Sequence, residues 1–202
     1  MPKPAEMIDP LSFAFLRDPQ IAAKGFREYD ARWRYPAEIN LPGLAALGLA
    51  FGTHLHETGK VPSVAIANDY RAYGAEVKHA FTLGLLQAGC TVHDIGVALT
   101  PMAYFAQIRL GTSAVAMITA SHNPNGWTGV KMGFEAPLTH GPEDVARLRE
   151  ICLGGEGIAR SGGVLHRVDG VQDAYIDEIT QGFRLSRKLR VVCACGNGTP
   201  SG

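Results

Sequence analysis

Apolar residues recur along this chain in two periods that alternate from one segment to the next. At 41–57 they return at helical spacing, which predicts an amphipathic helix. The β-rich run at 61–67 predicts a strand, 75–86 a second helix and 91–95 a second strand. Strand, helix and strand in succession are typical of a βαβ unit, so we expect an α/β fold with a largely parallel sheet.

The alternation continues through the second half of the chain. Residues 101–109 predict a helix and 113–120 a buried strand. Residues 143–152 predict a further helix, whose first turn carries acidic residues that suit the helix dipole. A glycine-rich break at 154–163 then separates this body from the rest of the chain.

Beyond the break, an apolar stripe predicts one more amphipathic helix, which would connect two domains. Its members are Val171, Tyr175, Ile179 and Phe183. After it comes one more apolar run, at 191–195, which precedes Gly-Asn-Gly at 196–198. We therefore expect a domain boundary between residues 155 and 190.

Composition and charge argue against several classes of partner. The 202 residues are 46% hydrophobic, which suits one or two globular domains. Lys plus Arg equals Asp plus Glu at 19 each, so no overall field draws the chain to nucleic acid or to an anionic membrane, and we expect neither partner. Residues 1–20 lack the pattern of a secretory signal, and the apolar stretch at 41–51 is too short to span a bilayer.

The four cysteines point to a reducing compartment. Cys90, Cys152, Cys193 and Cys195 show neither CxxC spacing nor a disulfide framework. Together with the missing signal, this predicts inert thiols and a cytoplasmic location.

The candidate chemistry lies in the run from Met117 to Gly126, Met-Ile-Thr-Ala-Ser-His-Asn-Pro-Asn-Gly. Asn-Pro followed by Asn-Gly predicts a turn after the apolar strand at 114–118, so Ser121 is projected from a rigid edge. Lys131 lies on the strand that returns. A strand-turn-strand frame can hold the hydroxyl and the ammonium within reach of one substrate.

Three other interpretations are open on residue spacing alone: two concern Ser121, and the third concerns a pair of histidines. A hydrolase triad would need a base for Ser121, but adjacent residues of an extended segment point to opposite sides, which disfavours His122, and no G-x-S-x-G elbow is present. Ser121 could instead only stabilise the turn. A zinc site is disfavoured because His54 and His56 face different ways on the predicted helix.

The Ser121 run resembles the phosphoserine loop of the alpha-D-phosphohexomutases, in particular the phosphomannomutase/phosphoglucomutase branch. Phe-Arg-Glu-Tyr-Asp-Ala-Arg at 26–32 resembles the family's N-terminal motif, and its Tyr-Asp-x-Arg form favours the hexose branch over the phosphoglucosamine mutases. Asn-Asp-Tyr-Arg at 68–71, the segment at 89–96 and Thr-Pro at 100–101 also follow in the family's order. The resemblance covers nearly all of residues 25–202.

The resemblance implies a phosphohexomutase that interconverts the 6-phosphate and the 1-phosphate of mannose or glucose through phosphoserine and a bisphosphate intermediate. It implies that Ser121 carries the phosphoryl group and that Lys131 and Arg32 assist proton transfer and charge stabilisation. The implied substrate-binding residues are Tyr29, His122 and Asn123. The implied cofactor is Mg²⁺, with a phosphate oxygen on Ser121 as its ligand here, and the implied activator is glucose or mannose 1,6-bisphosphate.

The family pattern also predicts the domain plan. The plan begins with an N-terminal extension at 1–20 and a three-layer αβα domain I at 21–160, which contains a mostly parallel mixed sheet. A connector at 161–190 follows. Residues 191–202 resemble the beginning of an incomplete domain II, whose first strand would be followed by a turn at 196–198. Because the Asp-rich magnesium loop and the sugar-selecting loop have no counterpart, we expect the isolated chain to be inactive. The alternative is a non-catalytic phosphosugar-binding or interaction domain.

One departure from the family pattern bears on the site. The family has Gly after the motif arginine, and this chain has Trp33. This substitution leaves open whether the substrate contact at Arg32 is altered.

Overall fold

The computed structural model describes residues 2–196 and 198–201, and its centre is a mixed sheet of six strands. The strands are β1 (Ala31–Arg34), β2 (Ser63–Asn68), β3 (Thr91–Val97), β4 (Ala114–Ile118), β5 (Trp127–Gly133) and β6 (Val164–Arg167). Their order across the sheet is β1-β5-β4-β2-β3-β6. The pairs from β4 through β2 and β3 to β6 are parallel, and β5 is antiparallel to both β1 and β4.

In the part of the chain that the structure describes, six α-helices accompany the sheet. They are α1 (Phe13–Arg17), α2 (Leu41–Glu57), α3 (Gly74–Gln87), α4 (Thr100–Leu110), α5 (Pro142–Gly154) and α6 (Val171–Thr180), with short 3₁₀ helices at Ala23–Gly25 and Thr199–Ser201. The main core lies between the sheet and α2, α3 and α5, whereas α4 and α6 pack with the smaller apolar clusters. The predicted three-layer αβα fold is confirmed. Within the described ranges, no helix has both the length and the apolar character needed to cross a bilayer.

β4 explains why the sheet needs helices on both faces. All five of its residues are buried. Ala114, Ala116 and Ile118 belong to the main core, and Val115 and Met117 belong to the clusters on the α4 side. Side chains of a strand alternate between faces, so a strand that is apolar throughout has to be covered twice.

Two glycines set the close approach of α2 and α3 on the main-core face. A Cβ at Gly48 would lie 2.0 Å from the Phe81 carbonyl oxygen, and one at Gly84 would lie 2.0 Å from the Ala45 carbonyl oxygen. Any larger residue at either position would push the helices apart.

Two elements differ from the sequence prediction. α6 ends at Thr180, so Phe183 lies beyond the helix and is exposed. Residues 191–195 form no strand and are exposed; a strand needs a neighbour to pair its backbone, and no described segment supplies one here. The predicted turn after them includes Asn197, which lies outside the described residues.

The sheet also continues past residue 160. β6 pairs in parallel with β3, from Thr91 with Val164 to Asp94 with Arg167, so the first part of the predicted connector is a strand of the main sheet. The division of the chain into domains stays a prediction.

Trp33 lies on the face of β1 opposite to Arg32. Its side chain is fully buried, its Nε1 donates a hydrogen bond to the Ala22 carbonyl oxygen at 2.8 Å, and its ring packs edge-on against Phe26. A Cβ at Gly25 would collide with the indole, so Gly25 makes room for it. Trp33 is therefore a core residue.

Candidate active site

The polar residues of the site follow the carboxyl ends of the parallel strands β2 and β4. Asn68, which ends β2, lies opposite Ile118, which ends β4, and the Asp69 amide continues the ladder by donating to the Ile118 carbonyl oxygen at 3.0 Å. Asp69 and Thr119 thus come side by side. This edge of a parallel sheet is where α/β proteins commonly bind ligands.

An open cavity of about 670 Å³ lies over this edge. Its polar wall includes Asp69, Arg71, Thr119, Ser121, His122 and Asn123, and the start of α4 and residues 198–199 also line it. Of the predicted site residues, the structure brings Ser121, His122 and Asn123 to this cavity. Arg32, Lys131 and Tyr29 are not part of its wall.

The backbone of Ser121 is in an unusual conformation. Its φ of 56° is left-handed, and no other non-glycine residue in the described part of the chain has a positive φ. The Ser121 amide donates to Thr119 Oγ1 at 2.9 Å. The side chain is exposed, and its hydroxyl has no hydrogen-bond partner among the described residues. A strained residue with a free hydroxyl is typical of a functional site.

Arg71 holds the loop that carries Ser121 by binding its carbonyl oxygens. Nη2 donates to the carbonyl oxygens of Asn123 at 2.7 Å and Ser121 at 3.3 Å, and Nη1 donates to that of Pro124 at 3.0 Å. Its Nε donates to Asp69 Oδ2 at 3.2 Å. All three nitrogens of the Arg71 guanidinium therefore donate hydrogen bonds to other groups of the protein.

Arg32 reaches the same loop from the other side. Its Nη1 donates to Asn123 Oδ1 at 2.7 Å, and its Nε and Nη2 bind Asp30 Oδ2 at 2.8 and 2.7 Å. Only 10% of the Arg32 side chain is exposed. Arg32 pairs with Gly129 on β5. Because glycine has no side chain, the aliphatic part of Arg32 lies directly over the backbone of β5 at this position.

Lys131 is on the same face of the sheet as Arg32. It lies two residues beyond Gly129, and its neighbours Val130 and Met132 face the main core on the opposite side. Its side chain is half-buried, and no hydrogen bond or ion pair forms at its ammonium among the described residues. Among the described residues, the Lys131 ammonium therefore has no partner that balances its charge.

Tyr29 and His122 are the most open of the predicted residues. Tyr29 is 54% exposed on the loop before β1, where a hydrogen bond to Glu28 raises the pKa of its phenol. His122 is exposed at the mouth of the cavity. Among the described residues, neither side chain forms a hydrogen bond with Ser121.

The described residues hold no metal centre of their own. Nowhere in 2–196 and 198–201 do three or more His, Cys, Asp or Glu side chains gather in a way that could bind a metal ion. The four cysteines are free thiols, two buried and two exposed. The donors that this chain supplies near Ser121 therefore do not fit a complete magnesium site.

The family model for phosphoglucomutase/phosphomannomutase, alpha/beta/alpha domain I, matches residues 23–156. The chain belongs to this family. The matched segment includes all six residues predicted for the site.

Similar proteins of the phosphoglucomutase/phosphomannomutase family extend well beyond this chain. A phosphomannomutase/phosphoglucomutase of Pseudomonas aeruginosa is 31% identical over 89% of this chain and 38% of its own length. A probable phosphoglucosamine mutase of Methanosphaera stadtmanae is 30% identical over 83% of this chain and 38% of its own. A crystal structure of a family protein from Burkholderia thailandensis superposes with a TM-score of 0.75 at 28% identity, covering 83% of this chain and 38% of that one. The chain thus spans about two fifths of these relatives.

Sequence reasoning assigned no role to three residues of this family domain that the structure places around the serine. In the sequence, Asp69 and Arg71 stand out only as members of the motif at 68–71, and Thr119 lies within the predicted strand at 113–120. Their position directly after two parallel strands was the available signal, because such ends meet at one edge of a sheet.

Proposed function

We propose that the protein containing this chain is a phosphohexomutase, and that Ser121 carries the phosphoryl group it transfers. The observation that supports the proposal most directly is the free hydroxyl of Ser121. It lies at the edge of a cavity on a backbone that is strained and held by several hydrogen bonds. Membership of the family supports the reaction class, since the relative in Pseudomonas aeruginosa is called a phosphomannomutase/phosphoglucomutase.

Two phosphoryl transfers make up the proposed reaction. In the first, the free C1 or C6 hydroxyl oxygen of a hexose monophosphate attacks phosphorus and loses its proton, the bond from phosphorus to Ser121 Oγ breaks, and Ser121 Oγ takes up a proton. The resulting 1,6-bisphosphate turns around. In the second, Ser121 Oγ loses its proton and attacks the other phosphoryl group, the bond from that phosphorus to the sugar oxygen breaks, and the sugar oxygen takes up a proton. The net result is an isomerisation.

The cations Arg32 and Lys131 suit this chemistry. Phosphoryl transfer depends mainly on in-line positioning and on neutralising charge spread over the equatorial oxygens. We assign to Lys131, whose ammonium has no partner among the described residues, the donation of a proton to the oxygen that leaves phosphorus. Arg32 keeps its carboxylate partner Asp30, so we assign it to charge stabilisation and to holding Asn123.

Magnesium is implied by the family resemblance but not by the donors of this chain. We propose that a phosphate oxygen on Ser121 is the only ligand that this chain provides and that the remaining ligands come from other parts of the whole protein. Mg²⁺ would supply further neutralisation of the transferred phosphoryl group.

We propose mannose and glucose phosphates as substrates and a 1,6-bisphosphate as activator. The relative in Methanosphaera stadtmanae is a probable phosphoglucosamine mutase, so glucosamine phosphate is the substrate with which these two should be compared.

The free thiols fit a reducing compartment, so we propose a cytoplasmic location. Because the chain spans 38% of these relatives, we also propose that residues 1–202 alone have no measurable mutase activity.

Ser121→Ala in the complete protein tests the proposal. Conversion of mannose 1-phosphate and glucose 1-phosphate, with Mg²⁺ and the bisphosphate present, should fall to background. Arg109→Ala, a change of an α4 residue that does not line the cavity, is the control. Turnover that survives Ser121→Ala would contradict the mutase. Binding of phosphosugar without conversion by the wild-type protein would favour a binding domain.

A further inference from the structure

The Thr119 hydroxyl links a buried carboxylate to the backbone of Ser121. Thr119 Oγ1 donates its proton to Asp69 Oδ2 at 2.7 Å and accepts the Ser121 amide at 2.9 Å. A hydroxyl has one proton to donate, and the carboxylate can only accept. The direction of both bonds is therefore fixed, with the Thr119 lone pairs turned toward Ser121.

Burial makes this link strong. Thr119 is 7% exposed and Asp69 is 9% exposed, so water competes little for either group. Hydrogen bonds to an ionised partner are stronger than neutral ones, and those in a polar chain polarise one another. Asp69 is itself held in place by Arg71, through Nε at 3.2 Å.

The link meets a specific need of Ser121. A left-handed backbone is strained in a non-glycine residue and persists only when its surroundings hold it. Thr119 Oγ1 accepts a hydrogen bond from the Ser121 amide, and Arg71 Nη2 donates one to the Ser121 carbonyl oxygen at 3.3 Å. Both peptide groups that flank the Ser121 Cα are thus held, and the direction of the Cα–Cβ bond follows from them.

We propose that Thr119 and Asp69 are positioning residues that aim the Ser121 hydroxyl at the substrate. Neither residue is needed to touch the reacting atoms. The inference rests on the proposed function for the meaning of Ser121, although the positioning itself can be measured without any turnover.

Thr119→Val removes the hydroxyl at nearly constant volume, and the chain offers a matched control. Thr112 precedes β4 as Thr119 follows it, is also 7% exposed, and donates to the Ala114 carbonyl oxygen at 3.1 Å. Thr112→Val therefore reproduces the loss of a buried threonine hydrogen bond at the other end of β4, away from Ser121. Thr119→Ser keeps the hydroxyl and serves as the rescue variant.

Two readouts in the complete protein test the inference. In Thr119→Val, hydrogen exchange of the peptide that spans 119–126 should accelerate about ten-fold, and kcat should fall about ten-fold with KM changed less than two-fold. Thr112→Val should change neither the exchange of this peptide nor kcat. Thr119→Ser should recover most of both. Equal effects of the two valine variants on exchange and kcat would overturn the inference.

Separate results identify a failure of the proposed function. If the wild-type protein never carries phosphate on Ser121, the mutase proposal fails, while the exchange measurement still decides whether Thr119 holds the loop. If Thr119→Val does not fold, Asp69→Asn replaces it, because asparagine keeps the shape and loses the charge. Faster exchange at 119–126 in Asp69→Asn supports the inference, and unchanged exchange overturns it.

Discussion

Arg32 Nη1 donates to Asn123 Oδ1 across 2.7 Å and thereby joins strand β1 to the loop that carries Ser121. The two residues are 91 positions apart in the chain. The Arg32 side chain is 10% exposed and Asn123 is partly buried, and the Arg32 charge is balanced by Asp30. The bond fixes the position of a cation and a serine relative to each other.

This bond should appear as coupling between the two side chains. A hydrogen bond to a charged group contributes about 1.5–3 kcal/mol, so Arg32→Ala and Asn123→Ala together should cost about 1–2 kcal/mol less than the sum of the single changes. Urea denaturation of the four proteins of the cycle measures the free energies of unfolding. Strict additivity would mean that the bond contributes nothing.

Gly129 should tolerate no side chain, because Arg32 passes over it. A Cβ there would lie 2.3 Å from the Ala31 carbonyl oxygen and 3.0 Å from Arg32 Cγ. Gly129→Ala should therefore lower the free energy of unfolding by about 1–3 kcal/mol and shift β1 away from the loop. Gly141→Ala, where a Cβ meets nothing within 4 Å, is the comparison and should cost less. Equal thermal unfolding midpoints for the two variants would contradict this.

Trp33 should matter for stability and not for chemistry. Trp33→Ala removes a fully buried indole and should cost about 3–5 kcal/mol. Trp33→Phe keeps a ring against Phe26 and loses only the bond to the Ala22 carbonyl oxygen, so it should cost less. In the complete protein, Trp33→Phe should retain wild-type kcat. A large change in KM for the sugar phosphate would show that Trp33 influences Arg32 after all.

His140 should make the fold less stable in mild acid. It is 1% exposed among Phe51, Phe134 and His54, and both ring nitrogens lack a hydrogen-bond partner among the described residues. Burial lowers the pKa of His140 to about 4, against the raising effect of Asp144, and His54 lowers it further. Glu57, 3.4 Å from His54, and Arg147, 2.7 Å from Glu57, are further charged groups on this side.

The sign of the effect follows from proton binding. Between about pH 6.5 and pH 4 the unfolded chain binds a proton on this histidine and the folded chain does not, so stability falls as the pH falls through that window. The loss attributable to His140 should reach roughly 2–3 kcal/mol. His140→Phe should flatten this part of the curve. Parallel stability curves for the wild type and the variant, measured by urea denaturation at each pH, would refute the assignment.

The sequence was sufficient for the elements whose apolar pattern is local. α2 was predicted with its observed bounds, and the strands on either side of the Ser121 turn were recognised from their buried runs. The end of α6 was missed because its apolar stripe continues to Phe183, whereas the helix stops before Gly182, which has a φ of 75°.

The hydrogen bonds that hold Ser121 through Thr119 and Asp69 could not be predicted from local sequence patterns. Asp69 and Thr119 are 50 residues apart, and they meet only because β2 pairs in parallel with β4 in one particular register. Trp33 illustrates the same point, since its buried position follows from which face of β1 meets the core. Strand order and register are properties of the whole fold and are not written in any local pattern.

Phosphate on Ser121 is the most direct test of the central claim. The complete protein, purified and incubated with glucose 1,6-bisphosphate, is digested, and the peptide that contains Ser121 is analysed by mass spectrometry. We predict that this peptide gains one phosphoryl group and that the gain is absent in Ser121→Ala. A peptide that remains unmodified under these conditions, in a protein that nevertheless interconverts hexose phosphates, would contradict the account.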